Sequence, residues 1–122
     1  MSDLLQGLNE AQALAVTTTE GPVMVMAGAG SGKTKVLTTR IAYIIKELGI
    51  VPSGILAVTF TNKAAGEMKE RIANMLDIET KYMWISTFHS FAVKILRMEI
   101  DNIPPYKILI LFTNKIQVSL LF

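Results

Sequence analysis

The chain has 122 residues and a formal net charge of +2, with 18% charged and 51% hydrophobic residues. This composition excludes a disordered chain and a strongly basic nucleic-acid wrapper, and the length fits one domain. The lack of cysteine excludes disulfide scaffolds, thiolate metal sites and cysteine nucleophiles, and a single histidine, His89, argues against a histidine-rich metal site. No uncharged apolar run approaches the roughly 18 residues of a membrane helix, and Asp3 stands where a secretory signal would be positive. We therefore expect a cytoplasmic protein with no membrane partner.

Apolar periodicity, caps and turn residues predict alternating helices and strands. A short helix begins at Asn9, with Gln12 three residues on, which is the pattern of a capping box. Strands are predicted at 23–27, 55–60 and 83–86, and helices at 33–48, 63–76 (with Asn62 as its N-cap) and 88–100. The first two strands are continuous apolar runs, which is typical of strands buried on both faces of a parallel sheet. We expect an α/β fold, a parallel sheet flanked by helices, with five methionines in its core: Met24, Met26, Met68, Met75 and Met83.

A glycine-rich loop follows the first predicted strand. It reads Ala27-Gly28-Ala29-Gly30-Ser31-Gly32-Lys33-Thr34, the phosphate-loop pattern except for alanine at its first position. The glycines let several backbone N–H groups turn inward, and the next helix points its N-terminus at the same space. Lys33 can reach the β- and γ-phosphates of a nucleotide, and the Thr34 hydroxyl can bind Mg²⁺. A plain glycine-rich turn is the alternative interpretation.

Four blocks of sequence resemble, in order and spacing, the superfamily 1 DNA helicases of the UvrD/Rep/PcrA type. They are LNEAQ at 8–12, AGAGSGKT at 27–34, TFTNKAAGEM at 59–68 and TFHS at 87–90. The resemblance implies a P-loop, RecA-like sheet in which residues 1–103 form the N-terminal part of an ATP-binding motor domain. It also implies an ATP-dependent DNA helicase, with ATP and Mg²⁺ as cofactors, that couples hydrolysis to 3′–5′ translocation on single-stranded DNA. Alanine commonly opens the phosphate loop in this family, as Ala27 does here.

The resemblance assigns roles to the residues of these blocks. Lys33 acts as the catalytic cation, and Gln12 reads the adenine edge, since a side-chain amide offers one donor and one acceptor. For Gln12, completing the capping box alone is the alternative. The blocks at 59–68 and 87–90 contact single-stranded DNA through Phe60, Thr61, Asn62, Thr87 and His89. Phe60 is expected to stack on a base, although ordinary core packing at a strand end is the alternative for that residue.

The end of the chain departs from the family. No carboxylate follows Asp101, so the Asp-Glu block that holds Mg²⁺ and activates water in the family is missing, as are the arginines of a second motor domain. We therefore expect a truncated motor, from a cut, a natural fragment or an altered reading frame, that hydrolyses little or no ATP by itself. Residues 104–122 form an atypical apolar tail, an incomplete continuation of the domain. The tail is expected to add a strand to the sheet or to pair with another copy.

Two other functions remain open on the sequence alone. One is a catalytically inactive module that binds nucleotide or oligomerises. The other is an unrelated P-loop NTPase or kinase, such as a GTPase, because the runs at 62–65 and 114–117 superficially resemble a guanine-reading Asn-Lys-x-Asp block. Both runs lack the aspartate that would accept hydrogen bonds from guanine.

Overall fold

The structure is a computed structural model that describes residues 3–28, 32–99 and 102. Within these ranges the chain forms four α-helices and two β-strands. In chain order they are α1 (Glu10–Thr17), α2 (Lys33–Lys46), β1 (Leu56–Thr59), α3 (Asn62–Leu76), β2 (Trp84–Thr87) and α4 (Phe88–Glu99). Short 3-10 turns lie at Asp3–Leu5 and Pro52–Gly54. The α/β class is confirmed, and these elements lie within a few residues of their predicted positions.

The sheet consists of β1 and β2, which pair in parallel with Leu56 opposite Trp84 and Thr59 opposite Thr87. Parallel neighbours need a crossover connection, and α3 supplies it. Because the two strands are paired without stagger, they end level with each other. The residues that follow them, and the N-termini of α3 and α4, are therefore brought to one edge of the sheet.

The core lies where α2 and α3 pack against the sheet. Ile72 of α3 and Ile85 of β2 are its largest fully buried apolar side chains. The buried cluster comprises Ile41, Ala57, Ala65, Met68, Ile72, Met83 and Ile85. The apolar positions of α3 recur every three to four residues, which places them on the one face that meets the strands. The core positions predicted for Met68 and Met83 are confirmed.

Helix α4 covers the other face of the sheet. Successive side chains on a strand point to opposite faces of the sheet. The Trp84 side chain is therefore on the face away from the buried Ile85. The Trp84 ring meets Phe91 of α4 edge-on, with 6.0 Å between the ring centroids. The Lys94 ammonium lies 3.9 Å from the centroid of the Trp84 ring, at the distance of a cation–π contact. Trp84 is thus half-buried between the sheet and α4 rather than enclosed in the core.

The predicted strand at 23–27 is wrong for the described part of the chain. These residues are not part of a strand, and the described sheet contains β1 and β2 alone. A strand is stable when neighbouring strands satisfy its backbone N–H and C=O groups, and no described strand pairs with this segment. The core positions predicted for three methionines are wrong as well, since Met24, Met26 and Met75 are 87%, 90% and 36% exposed.

The cap of α3 also differs from the prediction. Thr61, not Asn62, is the N-cap, and its side-chain oxygen accepts a hydrogen bond from the Ala64 N–H at 3.1 Å. Both residue types are good caps, so the sequence alone did not distinguish the two positions. Asn62 instead forms the first residue of the helix. The predictions for the tail at 104–122 fall outside the described residues.

Candidate nucleotide and nucleic-acid site

A cavity of about 500 Å³ opens between α1, residues 25–28 and the first half of α2. Its walls are largely apolar and carry a few polar groups at defined places, as is usual for small-molecule sites. The polar groups come from both helices. The cavity brings together several residues predicted for nucleotide binding: Gln12, Ala27, Gly28 and Lys33. Of the remaining predicted residues, Ala29, Gly30 and Ser31 lie outside the described residues.

Gly32 turns the chain into α2. Its φ of +79° places it in the left-handed region, which glycine adopts without the steric cost that a Cβ would bring. The Gly32 carbonyl accepts the first helical hydrogen bond, from the Val36 N–H at 3.0 Å. Gly32 has no side chain with which to cap the helix. The first turn of α2 therefore presents its N-terminal dipole together with the exposed side chains of Lys33 and Thr34.

Gln12 meets this turn from the other side. The capping box predicted for α1 is confirmed, because the Asn9 N–H donates to Gln12 Oε1 at 3.0 Å and the Gln12 N–H donates to Asn9 Oδ1 at 2.9 Å. The Gln12 amide nitrogen faces Gly32, where a Cβ added to the glycine would lie 3.3 Å from Nε2. The two blocks of sequence that contain Gln12 and Gly32 thus lie side by side, and the amide that completes the capping box also faces the glycine turn.

Thr34 has the chemistry that Mg²⁺ requires. Its side chain is exposed in the first turn of α2, and its own carbonyl accepts a hydrogen bond from the Thr38 hydroxyl at 2.8 Å. Magnesium prefers oxygen ligands and is usually held by one or two protein oxygens together with substrate phosphates. The described ranges contain no cluster of three or more His, Cys, Asp or Glu side chains that would form a separate protein cage. A single exposed hydroxyl is compatible with Mg²⁺ when most of the other ligands come from elsewhere, as when the ion is shared with a bound nucleotide.

The carboxyl-end edge of the sheet carries the second group of predicted residues. Phe60 and Phe88 immediately follow the two strands, and their ring centroids lie 5.5 Å apart at an interplanar angle of 48°. Phe60 is 91% exposed, so core packing is not its role here. Phe88, which is 45% exposed, was not predicted from the sequence. Its position between Thr87 and His89 in the TFHS block would have indicated it.

The polar residues at this edge are divided between solvent and helix capping. Asn62 is exposed, and His89 is half-buried in the first turn of α4. The Thr61 hydroxyl caps α3, as described above. Thr87 is buried, and its hydroxyl accepts from the Ser90 N–H at 3.1 Å and lies 3.0 Å from the Ser90 hydroxyl. The structure thus brings the five residues predicted to contact DNA to one edge of the sheet. Two of them, Thr61 and Thr87, cap the N-termini of α3 and α4.

The sequence matches the UvrD/REP helicase N-terminal domain over residues 8–120. The chain belongs to this helicase family. The chain is 59% identical over 102 residues to the ATP-dependent DNA helicase PcrA of Bacillus subtilis strain 168. It is 54% identical over 103 residues to the PcrA proteins of Staphylococcus epidermidis RP62A and Staphylococcus aureus NCTC 8325. These alignments cover 84% of this chain and 14% of each relative.

The family membership supports the resemblance in the four sequence blocks and the interpretation of the chain as the N-terminal part of a UvrD/PcrA-type helicase. In the described part of this UvrD-type chain, none of the helices has both the length and the apolar character needed to cross a bilayer.

Proposed function

We propose that this chain is the ATP-binding N-terminal portion of an ATP-dependent DNA helicase with a P-loop, RecA-like motor domain, to which residues 1–103 contribute. Residues 27–34 hold the triphosphate, with Lys33 at the β- and γ-phosphates and the Thr34 hydroxyl on Mg²⁺, which neutralises charge on the transferring phosphoryl group. The observation that carries the proposal is the left-handed Gly32, which opens α2 beside Gln12. It places a helix N-terminus, a lysine and a side-chain amide around one cavity.

Gln12 gives this site its preference for adenine. An amide oxygen can accept two hydrogen bonds, so Oε1 can serve the Asn9 N–H and an adenine amino group together. The Nε2 group donates to the adjacent ring nitrogen. Guanine presents a carbonyl oxygen where adenine presents the amino group, and the amide pair would then be mismatched. ATP is therefore expected to bind more tightly than GTP.

The edge formed by Phe60, Asn62 and His89 is proposed to contact single-stranded DNA. Phe60 presents a nearly fully exposed ring to a base, and the tilted ring of Phe88 lies beside it. Stacking of this kind is tolerant of sequence, as a translocating motor requires. Thr61 and Thr87 act at the same edge by fixing the starts of α3 and α4, whose N-terminal dipoles favour phosphates.

The whole helicase is proposed to couple ATP hydrolysis to 3′–5′ movement along single-stranded DNA in the cytoplasm. The 122-residue chain spans 14% of its PcrA relatives and contains no Asp-Glu pair. Phosphoryl transfer depends almost entirely on positioning and charge stabilisation, so this polypeptide alone is expected to bind nucleotide weakly and to release little phosphate. The apolar tail at 104–122 is proposed to let one copy of the chain associate with another.

Calorimetric titration with Mg·ATP and Mg·GTP tests the nucleotide site. Lys33→Ala should weaken ATP binding at least about ten-fold, the loss expected when a charge-assisted contact is removed. Lys46→Ala, at the far end of the same helix, removes a lysine without touching the cavity and should leave binding unchanged. Tighter binding of GTP than of ATP, or full affinity in the Lys33 variant, would refute the assignment. Rapid phosphate release that depends on Lys33 would refute the expected inactivity.

Fluorescence anisotropy with labelled oligo-dT of about 20 nucleotides tests the DNA edge. Phe60→Ala should weaken binding about 5- to 150-fold, which corresponds to the roughly 1–3 kcal/mol of one base–aromatic stack. The matched control is Tyr82→Ala, because Tyr82 is also exposed but precedes β2 and lies away from the carboxyl-end edge. Equal losses in the two variants would show that the contact is unspecific.

A further inference from the structure

Arg40 joins the two helices that form the walls of the cavity. It lies on α2 about two turns after Lys33, and its Nη1 donates hydrogen bonds to the carbonyl oxygens of Ala15 and Thr18, both at 2.7 Å. One guanidinium nitrogen carries two N–H groups, so a single Nη1 can serve both acceptors. Both carbonyls lie at the C-terminal end of α1. A helix leaves its last carbonyls without helical partners, and a cation at that end is favoured by the helix dipole.

Helix α1 depends on such external contacts for its position. It has eight residues, and a helix of this length is marginal in isolation. Val16 is its one buried side chain within the described residues, whereas Leu14 is 66% exposed. The packing of Val16 and the two hydrogen bonds from Arg40 are thus among the described contacts that hold α1 against the rest of the protein. Gln12 lies one turn before Val16 in the same helix, so the position of its amide depends on how α1 is held.

We propose that Arg40 is a positioning residue for base recognition, which acts by holding α1 against α2 so that the Gln12 amide stays beside Gly32. This inference rests on the proposed adenine site. The phosphates are proposed to be held by Lys33 and the first turn of α2, which is formed by hydrogen bonds within α2 itself. Loss of Arg40 should therefore reduce affinity for the base and leave affinity for the phosphates unchanged, a pattern that a general loss of stability would not produce.

The experiment compares Arg40→Ala, Arg40→Lys and the control Lys46→Ala in the full 122-residue chain. Titrations use Mg·ATP and Mg·tripolyphosphate, which lacks a base. Arg40→Ala should weaken ATP binding about ten-fold and change tripolyphosphate binding less than about two-fold. Arg40→Lys should restore part of the loss, because an ammonium can still donate to the two carbonyls. In a Gln12→Ala background, Arg40→Ala should have no further effect on ATP binding, since Arg40 acts through Gln12.

Amide hydrogen exchange, measured without nucleotide, tests separately whether Arg40 clamps α1 to α2. Arg40→Ala should accelerate exchange in the peptide that contains α1, while the peptide that contains α3 reports that the fold is intact. Equal losses for ATP and tripolyphosphate, or an undiminished effect of Arg40→Ala in the Gln12→Ala background, would overturn the positioning role. Unchanged exchange in α1 would overturn the clamp itself. A wild-type chain that binds neither ligand would refute the proposed nucleotide site and with it the role in base recognition, whatever the exchange data show for the clamp.

Discussion

Replacing Gly32 with alanine should destabilise the protein through two effects that the structure separates. The first is the left-handed backbone, which costs a residue with a Cβ about 1–2 kcal/mol. The second is the approach of the new methyl group to Gln12 Nε2 at 3.3 Å. That amide is held by its hydrogen bond from the Asn9 N–H, so moving it sacrifices a capping bond worth about 0.5–1.5 kcal/mol. The sum predicts a loss of roughly 1.5–3.5 kcal/mol in the free energy of unfolding.

Gly21→Ala is the matched control for Gly32→Ala. Gly21 has a φ of +72°, but a Cβ there would meet nothing within 4 Å. It should therefore show the backbone cost alone, about 1–2 kcal/mol. Urea denaturation followed by circular dichroism measures both variants, and titration with Mg·ATP measures the site. If the two variants lose the same stability, the contact between Gly32 and Gln12 is not present in solution. If Gly32→Ala is as stable as the wild type, the left-handed turn is wrong.

Three further substitutions test the local structure by the same denaturation assay. Gly66 lies inside α3, and a Cβ there meets nothing within 4 Å. Gly66→Ala should therefore stabilise the protein by about 0.5–1 kcal/mol. A loss of stability would show that this face of the helix is covered. Thr61→Ala should cost about 1 kcal/mol, whereas Asn62→Ala should change little, and the reverse order would restore Asn62 as the cap. Asp77 ends α3 with a φ of 51°, so Asp77→Gly should gain up to about 1 kcal/mol, and no gain would argue against the left-handed conformation.

The elements predicted correctly from the sequence are those in which a single local rule determines the structure. The capping box of Asn9 and Gln12 needs only residues three positions apart, and the helices follow their own periodicity. Strand β1 lies in an apolar run, β2 begins with the apolar Trp84 and Ile85, and the two strands pair with each other, so that local pattern and tertiary partner agree. The segment at 23–27 has an equally apolar pattern, but its state depends on a partner strand that the local sequence cannot supply.

The candidate site was predictable only in part for the same reason. Spacing indicated Gln12, Lys33 and Thr34, because their residue types follow from a motif. The contact of Arg40 with Ala15 joins residues that are 25 positions apart. Such a hydrogen bond depends on how two helices pack, and neither periodicity nor composition carries that information.

The exposed run at 23–26 has a practical consequence for work with this polypeptide. Val23 and Val25 are 39% and 51% exposed, and Met24 and Met26 are almost fully so, which gives water access to an uncharged, β-prone stretch. Such stretches seed precipitation when chains meet at high concentration. Low protein concentration, a solubilising fusion partner or a charged substitution at Met24 should keep the material in solution long enough for the titrations.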